Sequence, residues 1–368
     1  MTDKFNLAIL FGGRSCEHEV SVTSARSILP AINRDRYDVY VIGIDKQGHW
    51  HLGRSVDAIA EREVKTSRRR DRVTLDLHQN GNLSALDADM EVPRVDVIFP
   101  VLHGTFGEDG TIQGLFEVAG IPYVGCGVAA SSLAMDKALA KRMFASVGLP
   151  QAPYAVFTLH EWQDEPDAAC RLIGQELGYP AFVKPANLGS SVGISKARDR
   201  AELTRAIDHA FEFDNKSVGE QSMENCHEIE CSVLGNHQVE ASALGEIVPG
   251  AEFYNYETKY LDDKTDLVVP APLDEDTTRL VRELAVEAFR AVDGKGLARV
   301  DFFVHRDTRE ITLNEINTLP GFTPISMYPR LWVESGLAYA DLIDRLIDLA
   351  LENHALKQRL NHDLAAER

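Results

Sequence analysis

The chain has little positive charge for its size. It contains 38 Lys and Arg residues against 57 Asp and Glu residues, which gives a formal net charge of −19. Nucleic acid and anionic membrane surfaces are bound by basic faces, so this balance argues against either partner. An anionic substrate must therefore meet local positive charge inside a cleft.

Paired cysteines and long apolar runs are also absent from the sequence. The five cysteines include no C-x-x-C pair, and we interpret them as free thiols in a reducing cytosol. No run of about 18 uncharged apolar residues occurs, and the N-terminus reaches its first strand without an apolar signal core. These absences predict a soluble, cytoplasmic protein.

The apolar content is sufficient for a large core. The 368 residues are 44% hydrophobic, which predicts two or three domains.

The opening segment predicts a strand at residues 5–11, a turn at Gly12-Gly13 and a helix at residues 20–32. Two glycines without a full G-x-G-x-x-G motif are equally typical of a tight turn, so a dinucleotide site stays open.

Strands and helices alternate through the rest of the chain. Further strands are predicted at residues 37–44, 95–102, 121–124, 154–157, 181–184, 193–196, 217–220 and 226–234. Further helices are predicted at residues 111–119, 136–147, 165–177, 199–211, 274–292, 325–334 and 338–351. Alternation in the strand 226–234 predicts that Ile229, Cys231 and Val233 are buried and that the acidic residues between them are exposed. The arginines 68–70 lie among acidic residues, which favours a solvated loop.

The stretch 296–326 carries the densest chemistry in the sequence. Two runs rich in β-branched and aromatic residues, 297–304 and 311–318, flank a polar turn and predict a β-hairpin. Side chains alternate faces along a strand. A turn centred near Thr308 therefore places Asp301 opposite Glu315 and Arg299 opposite Asn317.

Two facing carboxylates repel each other, so a positive group is expected between them. One candidate is Arg299 in an ion pair, and the other is a set of hard divalent cations, which prefer carboxylate and amide oxygens. Asn317 favours the cations because its carbonyl adds a neutral oxygen ligand. Gly321 leaves a backbone N–H free to face a ligand. The pattern indicates a magnesium–nucleotide site with an anion hole beside it.

Three loops are candidates for ligand contact, and each has a simpler interpretation. His103 opens the loop 103–110 and is either a ligand-facing or a core histidine. The loop 184–193 is rich in glycine and serine, and it either wraps phosphate with Lys184 as its point charge or is merely flexible. Residues 252–266 are rich in aromatic and charged residues and show no helical or strand periodicity, which is typical of a lid or of an ordered surface loop.

Taken together, these stretches resemble the D-alanine–D-alanine ligases of the ATP-grasp superfamily, over nearly the whole chain. The motifs agree in order and are GGRSCEHEVS, HGTFGEDGTIQG, VKPANLGSSVG, YNYETKY, and RVDFFV followed by NEINTLPGFT. The resemblance implies an α/β fold, α+β in its later domains: the ATP-grasp fold with an N-terminal Rossmann-like parallel-sheet domain. The expected domains are residues 1–135, 136–222 and 223–368.

The resemblance also implies ligands, partners and chemistry. ATP, two Mg2+ or Mn2+ ions and D-alanine are expected, in a homodimer that serves peptidoglycan precursor synthesis. ATP would convert one D-alanine carboxylate to an acyl phosphate, which the amine of the second D-alanine attacks. A lid over the site would keep water from hydrolysing the acyl phosphate.

Site residues are implied by the same motifs. The metal ligands are Asp301, Glu315 and Asn317, and the nucleotide contacts are Lys137, Lys184, Ser191, Glu220, Glu228 and Lys259. The catalytic set is Glu17 for the first ammonium group, Ser190 with Tyr260 linking loop to lid, Arg299 with the Gly321 N–H as oxyanion hole, and Ser326 for the second carboxylate. His103 matches an active-site histidine of the family.

One departure and three rival interpretations stay open. Residues 220–228 are one residue longer than the usual adenine-contacting linker, so roles for Gln221, Ser222 and Met223 are not assigned. A sister ligase that joins D-alanine to D-lactate or D-serine would share these motifs. A nicotinamide oxidoreductase leaves the carboxylate hairpin unexplained, and a non-catalytic nucleotide-binding protein would be expected to have lost a metal ligand.

Overall fold

A computed structural model describes residues 4–65, 72–77, 82–86, 90–248 and 265–361, and within these ranges the strands form three sheets. The three sheets follow one another along the chain, as expected for three domains. None of the described helices is both long enough and apolar enough to cross a membrane.

The first sheet has a parallel centre and an antiparallel extension. Its strands are β1 (Phe5–Gly12), β2 (Tyr37–Ile44), β3 (Trp50–Gly53), β4 (Arg72–Asp76), β5 (Asn82–Ala85) and β6 (Val97–Val101), in the order β5-β4-β3-β2-β1-β6. Strand β1 is parallel to both β2 and β6, whereas β3, β4 and β5 pair in antiparallel fashion. The helices of this region are α1 (His18–Ile28), a 3-10 turn (Leu29–Ala31), α2 (Val56–Ile59), α3 (Thr111–Ala119) and α4 (Val128–Met135).

Strand β1 is buried on both faces, which is why its sequence is a continuous apolar run. Leu7 and Ile9 contribute to one hydrophobic cluster, and Ala8 and Leu10 contribute to another on the opposite face. Such a strand ends in a turn at the carboxyl edge of the sheet, where Gly12 and Gly13 both adopt positive φ. The turn therefore leads directly to the residues that begin α1.

One prediction for this region is wrong, and several of its elements are not predicted by the sequence. Residues 121–124 do not form a strand, because only Tyr123 makes an isolated bridge, to Ile98. The charged segment between β2 and β6 contains β3, β4 and β5. These strands are short and of mixed polarity, so their sequences show no strand periodicity. The arginines 68–70 lie outside the described residues. Helix α4 was not predicted because V-A-A-S-S-L-A-M lacks a polar face.

The second sheet is antiparallel throughout. It consists of β7 (Tyr154–Thr158), β8 (Ala181–Pro185), β9 (Ser195–Ala197) and β10 (Lys216–Gln221), in the order β7-β10-β8-β9. Its helices are α5 (Lys137–Ser146), α6 (Leu159–Asp164), α7 (Pro166–Leu172) with a π-helical turn (Ile173–Leu177), and α8 (Arg200–Ala210). The four strands were predicted within two residues, and the sheet has a hydrophobic core of its own.

The third sheet carries the hairpin. Its strands are β11 (Cys226–Gly235), β12 (Val239–Val248), β13 (Asp266–Val268), β14 (Gly296–His305) and β15 (Ile311–Asn317), in the order β13-β12-β11-β14-β15. Its helices are α9 (Glu275–Ala291), α10 (Met327–Glu334) and α11 (Tyr339–Lys357). The register pairs Asp301 with Glu315 and Arg299 with Asn317, so the predicted hairpin geometry is confirmed.

The prediction that β11 exposes its acidic face is wrong. Glu230 is only 9% exposed and Ser232 is fully buried. Strand β11 is central in its sheet, and its second face is covered: the Ser232 hydroxyl donates to the carbonyl of Tyr328 in α10 over 3.2 Å, and Glu230 pairs with Arg299. Alternation reveals which residues share a face, but not what covers that face.

Helix α11 joins the end of the chain to the first sheet. Its Leu342 and Leu346 belong to the same cluster as Leu7 and Ile9 of β1. At the surface, Arg36 pairs with two α11 carboxylates, Asp344 at 3.2 Å and Asp348 at 2.6 Å. The first and third sheets therefore share a core, whereas the second does not contribute to it.

We expect Gly245→Ala to destabilise the protein. A Cβ atom at Gly245 in β12 would lie 2.0 Å from Met327 Cε and 2.9 Å from Leu331 Cδ2, both in α10. Overpacking of this kind typically lowers the free energy of unfolding by about 1–3 kcal/mol. The midpoint of chemical unfolding should therefore shift to lower denaturant concentration.

Gly114→Ala is the matched control for this substitution. Gly114 lies inside α3, and no heavy atom within 4 Å would meet its added Cβ. Replacing a helical glycine by alanine typically stabilises by roughly 0.5–1 kcal/mol. Equal midpoints for the two variants would contradict the packing of α10 on β12.

Candidate active site

A cleft of about 280 Å³ lies between the three sheets. It receives residues from the loops after β1 and β6, from the loop between β8 and β9, from α5, and from the β14–β15 hairpin. The sequence-predicted residues that line it are Glu17, His103, Lys137, Ser190, Arg299, Glu315, Asn317, Gly321 and Ser326. Three regions that are distant in sequence therefore meet in one cavity.

Glu17 and Ser190 connect the first and second regions. The Ser190 hydroxyl donates a hydrogen bond to Glu17 Oε1. Two glycines allow their backbones to approach this carboxylate, because a Cβ would lie 2.7 Å from Glu17 Oε2 at Gly104 and 2.9 Å from it at Gly189. Ser190 and its neighbour Ser191 adopt positive φ angles of 50° and 59°, so the loop holds a conformation that non-glycine residues rarely adopt. The contact places a largely buried carboxylate at one end of the cleft.

His103 lies in a buried polar network behind Glu17. Its Nδ1 is 3.1 Å from the Leu319 carbonyl and 3.7 Å from Glu108 Oε1, and its Nε2 is 3.1 Å from the Ser24 hydroxyl. Burial by itself would lower the pKa of His103, but the nearby charges of Glu108 and Glu17 outweigh that effect and raise it. Both burial and the charge of Glu17 raise the pKa of Glu108. These groups fix the loop after β6 against the turn that follows β15.

Lysines from α5 and β8 form the positive part of the site. The Lys137 ammonium donates to the Leu188 carbonyl over 2.7 Å and lies 4.0 Å from Glu315 Oε2. The Lys184 ammonium donates to Glu220 Oε2 over 2.9 Å and lies 3.5 Å from Asn314 Oδ1. Burial would lower the pKa of Lys184, but the charges of Glu220 and Glu315 raise it above its ordinary value. Lys184 therefore stays charged beside the cleft.

Arg299 is held by two carboxylates. Its Nε and Nη2 donate to the two oxygens of Asp301 over 2.8 and 2.7 Å, and Nε is 3.1 Å from Glu230 Oε2. Burial would lower the arginine pKa, but the charges of Asp301 and Glu230 hold it well above its ordinary value. The ion pair that the sequence left open as an alternative to cations is therefore present in this structure.

The donor set of the hairpin is compatible with hard cations. The Glu315 side chain is 36% exposed towards the cleft, and Asp301 across the hairpin and Asn317 two residues further on add a carboxylate and an amide carbonyl. Oxygen donors of this kind suit Mg2+ and Mn2+. In the described part of the chain, no group of three or more His, Cys, Asp or Glu residues forms a metal site. The third oxygen would thus come from Asn317.

The turn after β15 shapes the far end of the cleft. The Leu319 N–H donates to Asn317 Oδ1 over 3.0 Å and so orients the amide. A Cβ on Gly321 would lie 2.8 Å from the Ser326 hydroxyl, so glycine permits this approach. The Ser326 hydroxyl accepts a hydrogen bond from the Thr323 N–H over 3.0 Å and precedes α10. The turn therefore brings the backbone at Gly321 close to the Ser326 hydroxyl at this end of the cleft.

Some predicted residues do not line the cleft, and others cannot be placed. Lys184, Glu220 and Asp301 lie beside it, and Glu228 is a partly buried residue of β11 whose charge acts on Lys184. Lys259 and Tyr260 lie outside the described residues, as does nearly all of the stretch 252–266. Gln221 is the last residue of β10, and this position by itself does not assign it a contact with adenine.

Sequence reasoning missed three charged residues. Alternation in β11 predicts an exposed Glu230, and neither Glu108 nor Lys141 differs in the sequence from the other charged residues of its loop or helix. A signal existed for Lys141, because it follows Lys137 by four residues and so shares its helix face. The partner of Glu230 is Arg299, which is distant in sequence, so no local pattern could have identified it. Glu108 contacts His103 and Gly104 of its own loop, but its burial depends on the tertiary structure.

Comparison with known proteins places this geometry in a family. The model described as "D-ala D-ala ligase N-terminus" matches residues 6–126, and the model described as "D-ala D-ala ligase C-terminus" matches residues 143–348. The D-alanine–D-alanine ligase of Acetivibrio thermocellus is 49% identical, over 96% of this chain and 98% of that protein. The D-alanine–D-alanine ligase of Bacillus velezensis is 47% identical, over 96% of this chain and 99% of that protein.

Solved structures agree in fold over nearly the whole chain. The D-alanine–D-alanine ligase from Coxiella burnetii superposes with a TM-score of 0.82 at 32% identity and covers 97% of each chain. The VanG D-Ala:D-Ser ligase from Enterococcus faecalis superposes with a TM-score of 0.83 at 33% identity, and the match covers 95% of this chain and 100% of that chain. The expected ATP-grasp fold is thereby confirmed. Because sequence, family models and three-dimensional structure agree from the first sheet to α11, this chain belongs to the D-alanine–D-alanine ligase family.

Proposed function

We propose that this protein joins two molecules of D-alanine to D-alanyl-D-alanine, with release of ADP and phosphate, for peptidoglycan precursor synthesis. The observation that carries this function is the convergence of Glu17, Ser190, Lys137, Arg299 and Glu315 in one cleft, in a chain of this family. A carboxylate at one end suits an ammonium group, and the cations suit a carboxylate and a phosphate chain.

The use of ATP follows from family membership. We assign the nucleotide to Lys137, Lys184, Ser191, Glu220 and Glu228, with Lys259 as a further contact outside the described residues. Lysine ammonium groups can donate to phosphate oxygens as point charges, and loop N–H groups add further donors. The buried position of Lys184 strengthens such an interaction because the local dielectric is low.

Asp301, Glu315 and Asn317 would hold two Mg2+ or Mn2+ ions. When bound, these ions neutralise charge on the phosphate chain and on the phosphoryl group that is transferred. Asp301 already shares its carboxylate with Arg299, so the same residue would serve the arginine and a cation.

The remaining residues act on the amino acids. We assign Glu17 to the ammonium group of the first D-alanine, with Ser190 fixing the carboxylate in place. Phosphoryl transfer from ATP makes an acyl phosphate of its carboxylate, and the amine of the second D-alanine attacks that carbon. Arg299 and the Gly321 N–H donate to the oxyanion that develops, a contribution typically worth about 2.7–4 kcal/mol of barrier per donor. Ser326 receives the second carboxylate.

A sister ligase is the second candidate, since a D-Ala:D-Ser ligase matches with a TM-score of 0.83. Its identity of 33% equals that of the C. burnetii D-alanine–D-alanine ligase within one percentage point, so these two structures do not separate the substrates. The relatives that are 49% and 47% identical are both named D-alanine–D-alanine ligase, which favours D-alanine as second substrate. We further propose a cytoplasmic homodimer and domain boundaries near residues 135 and 222.

A coupled assay for ADP release tests this function directly. D-alanine alone should support turnover, whereas L-alanine should not. D-serine and D-lactate, each added with a low concentration of D-alanine, should give little mixed product. A predominance of D-alanyl-D-serine or D-alanyl-D-lactate in the product mixture would assign the sister activity instead.

Replacement of Glu315 by glutamine should nearly abolish turnover while the fold is kept. The substitution preserves volume but removes a negative charge that the cations need, and the side chain is exposed enough to accept an amide. Turnover should be measured at several Mg2+ concentrations, with circular dichroism as the check on folding. Activity like that of the wild type at limiting Mg2+ would remove Glu315 from the metal set.

Ser190→Ala and Ser191→Ala should have different effects. Loss of the Ser190 hydroxyl removes a hydrogen bond to the charged Glu17, and such bonds contribute about 1.5–3 kcal/mol, equivalent to roughly ten- to one-hundred-fold in KM for D-alanine. Ser191→Ala should raise mainly KM for ATP. Steady-state kinetics in both substrates separates the two, and identical kinetic changes would contradict separate roles.

A further inference from the structure

Lys141 is a buried lysine to which the proposed function gives no role. It lies in α5, one turn after Lys137, with a side chain that is only 2% exposed. Its ammonium makes no hydrogen bond within the described residues, and it lies 5.4 Å from the centre of the Tyr154 ring. A buried ammonium group is costly unless a charge compensates it, so its position requires a reason.

Glu220 provides the compensating charge and is shared between two lysines. Its Oε1 is 3.5 Å from the Lys141 ammonium, and its Oε2 accepts a hydrogen bond from Lys184 over 2.9 Å. Burial would raise the pKa of Glu220, but the charges of Lys141 and Lys184 lower it to about 2. Burial lowers the pKa of Lys141, an effect that Glu220 opposes. The three side chains form a Lys–Glu–Lys chain.

Among the described residues, Lys141 is one of the three lysines whose charges act on this chain. The groups that act on one another here are the lysines 137, 141 and 184, and the glutamates 220, 228 and 315. Three cations thus face three carboxylates. Without Lys141, two cations would face three carboxylates in a site that must also bind the anionic nucleotide. The imbalance would oppose nucleotide binding.

The proposed function requires Lys184 to donate to nucleotide phosphates, although here Glu220 holds its ammonium. If Lys184 turned towards phosphate with no other cation nearby, Glu220 would be left as a buried carboxylate without a counter-ion. We propose that Lys141 is a positioning residue that remains the counter-ion of Glu220, so that Lys184 can donate to the nucleotide. This inference rests on the assignment of Lys184 to the nucleotide.

Lys141→Met should therefore weaken nucleotide binding selectively. Methionine keeps much of the length and apolar volume of the lysine stem but removes the charge, so Glu220 would retain Lys184. We expect the Kd of a non-hydrolysable ATP analogue, measured by calorimetry, to rise about tenfold, equivalent to about 1.4 kcal/mol. KM for ATP should rise in parallel, with KM for D-alanine unchanged.

Two control variants distinguish this role from a structural one. Lys141→Arg keeps the charge and should restore most of the nucleotide affinity. Arg142→Met removes a positive charge from the next residue of the same helix, where the side chain is exposed, and should leave the Kd unchanged. Equal increases in KM for ATP and for D-alanine with Lys141→Met, accompanied by lower thermal stability, would assign Lys141 a structural role only and overturn the proposal.

The decisive measurement is made in a Glu220→Gln background. A neutral amide at position 220 needs no counter-ion, so Lys141→Met should there cost little nucleotide affinity beyond the effect of Glu220→Gln itself. This comparison stands even if Lys141→Met alone fails to fold. A full tenfold loss in both backgrounds would overturn the proposal. Absence of ADP release by the wild-type protein with D-alanine would instead contradict the proposed reaction, while the binding data would still test Lys141.

Discussion

The register of β14 against β15 is the constraint on which the site depends. Alternate residues of β14, among them Val300, Phe302 and Val304, are at most 1% exposed and pack into the core under the sheet. A slip by one residue would move these side chains to the cleft and the charged residues into the core. Hydrophobic burial on one face therefore fixes where Arg299 and Asp301 lie on the other.

Charge compensation organises the cleft at the next level. The protein carries a net charge of −19, yet the cations needed for anionic ligands are collected in one place. Each is kept charged by a carboxylate: Arg299 by Asp301 and Glu230, and Lys184 by Glu220. In a poorly solvated site such pairs limit the cost of burial and keep the donors oriented before a ligand arrives. The same pairs make the cations interdependent.

Packing between distant parts of the chain assembles these elements. Helix α11 shares a hydrophobic cluster with the first sheet, so the first and third sheets form one body around the turn that contains Gly321. The second sheet has its own core and reaches the first through the contact of Ser190 with Glu17. The loop of the second sheet adopts left-handed backbone angles at both Ser190 and Ser191. Strained backbone of this kind is concentrated at functional sites in proteins.

The sequence by itself determined the hairpin, its register, the strands of the second sheet and the family, because these depend on local alternation and contiguous motifs. It did not reveal that β3, β4 and β5 extend the first sheet, since short strands of mixed polarity carry no clear period. Nor did it reveal that Glu230 is buried beside Arg299, or that Lys141 compensates Glu220. Alternation and helical spacing describe which residues share a face of one element. Only the tertiary structure decides which other element covers that face, and hence which charges are buried together.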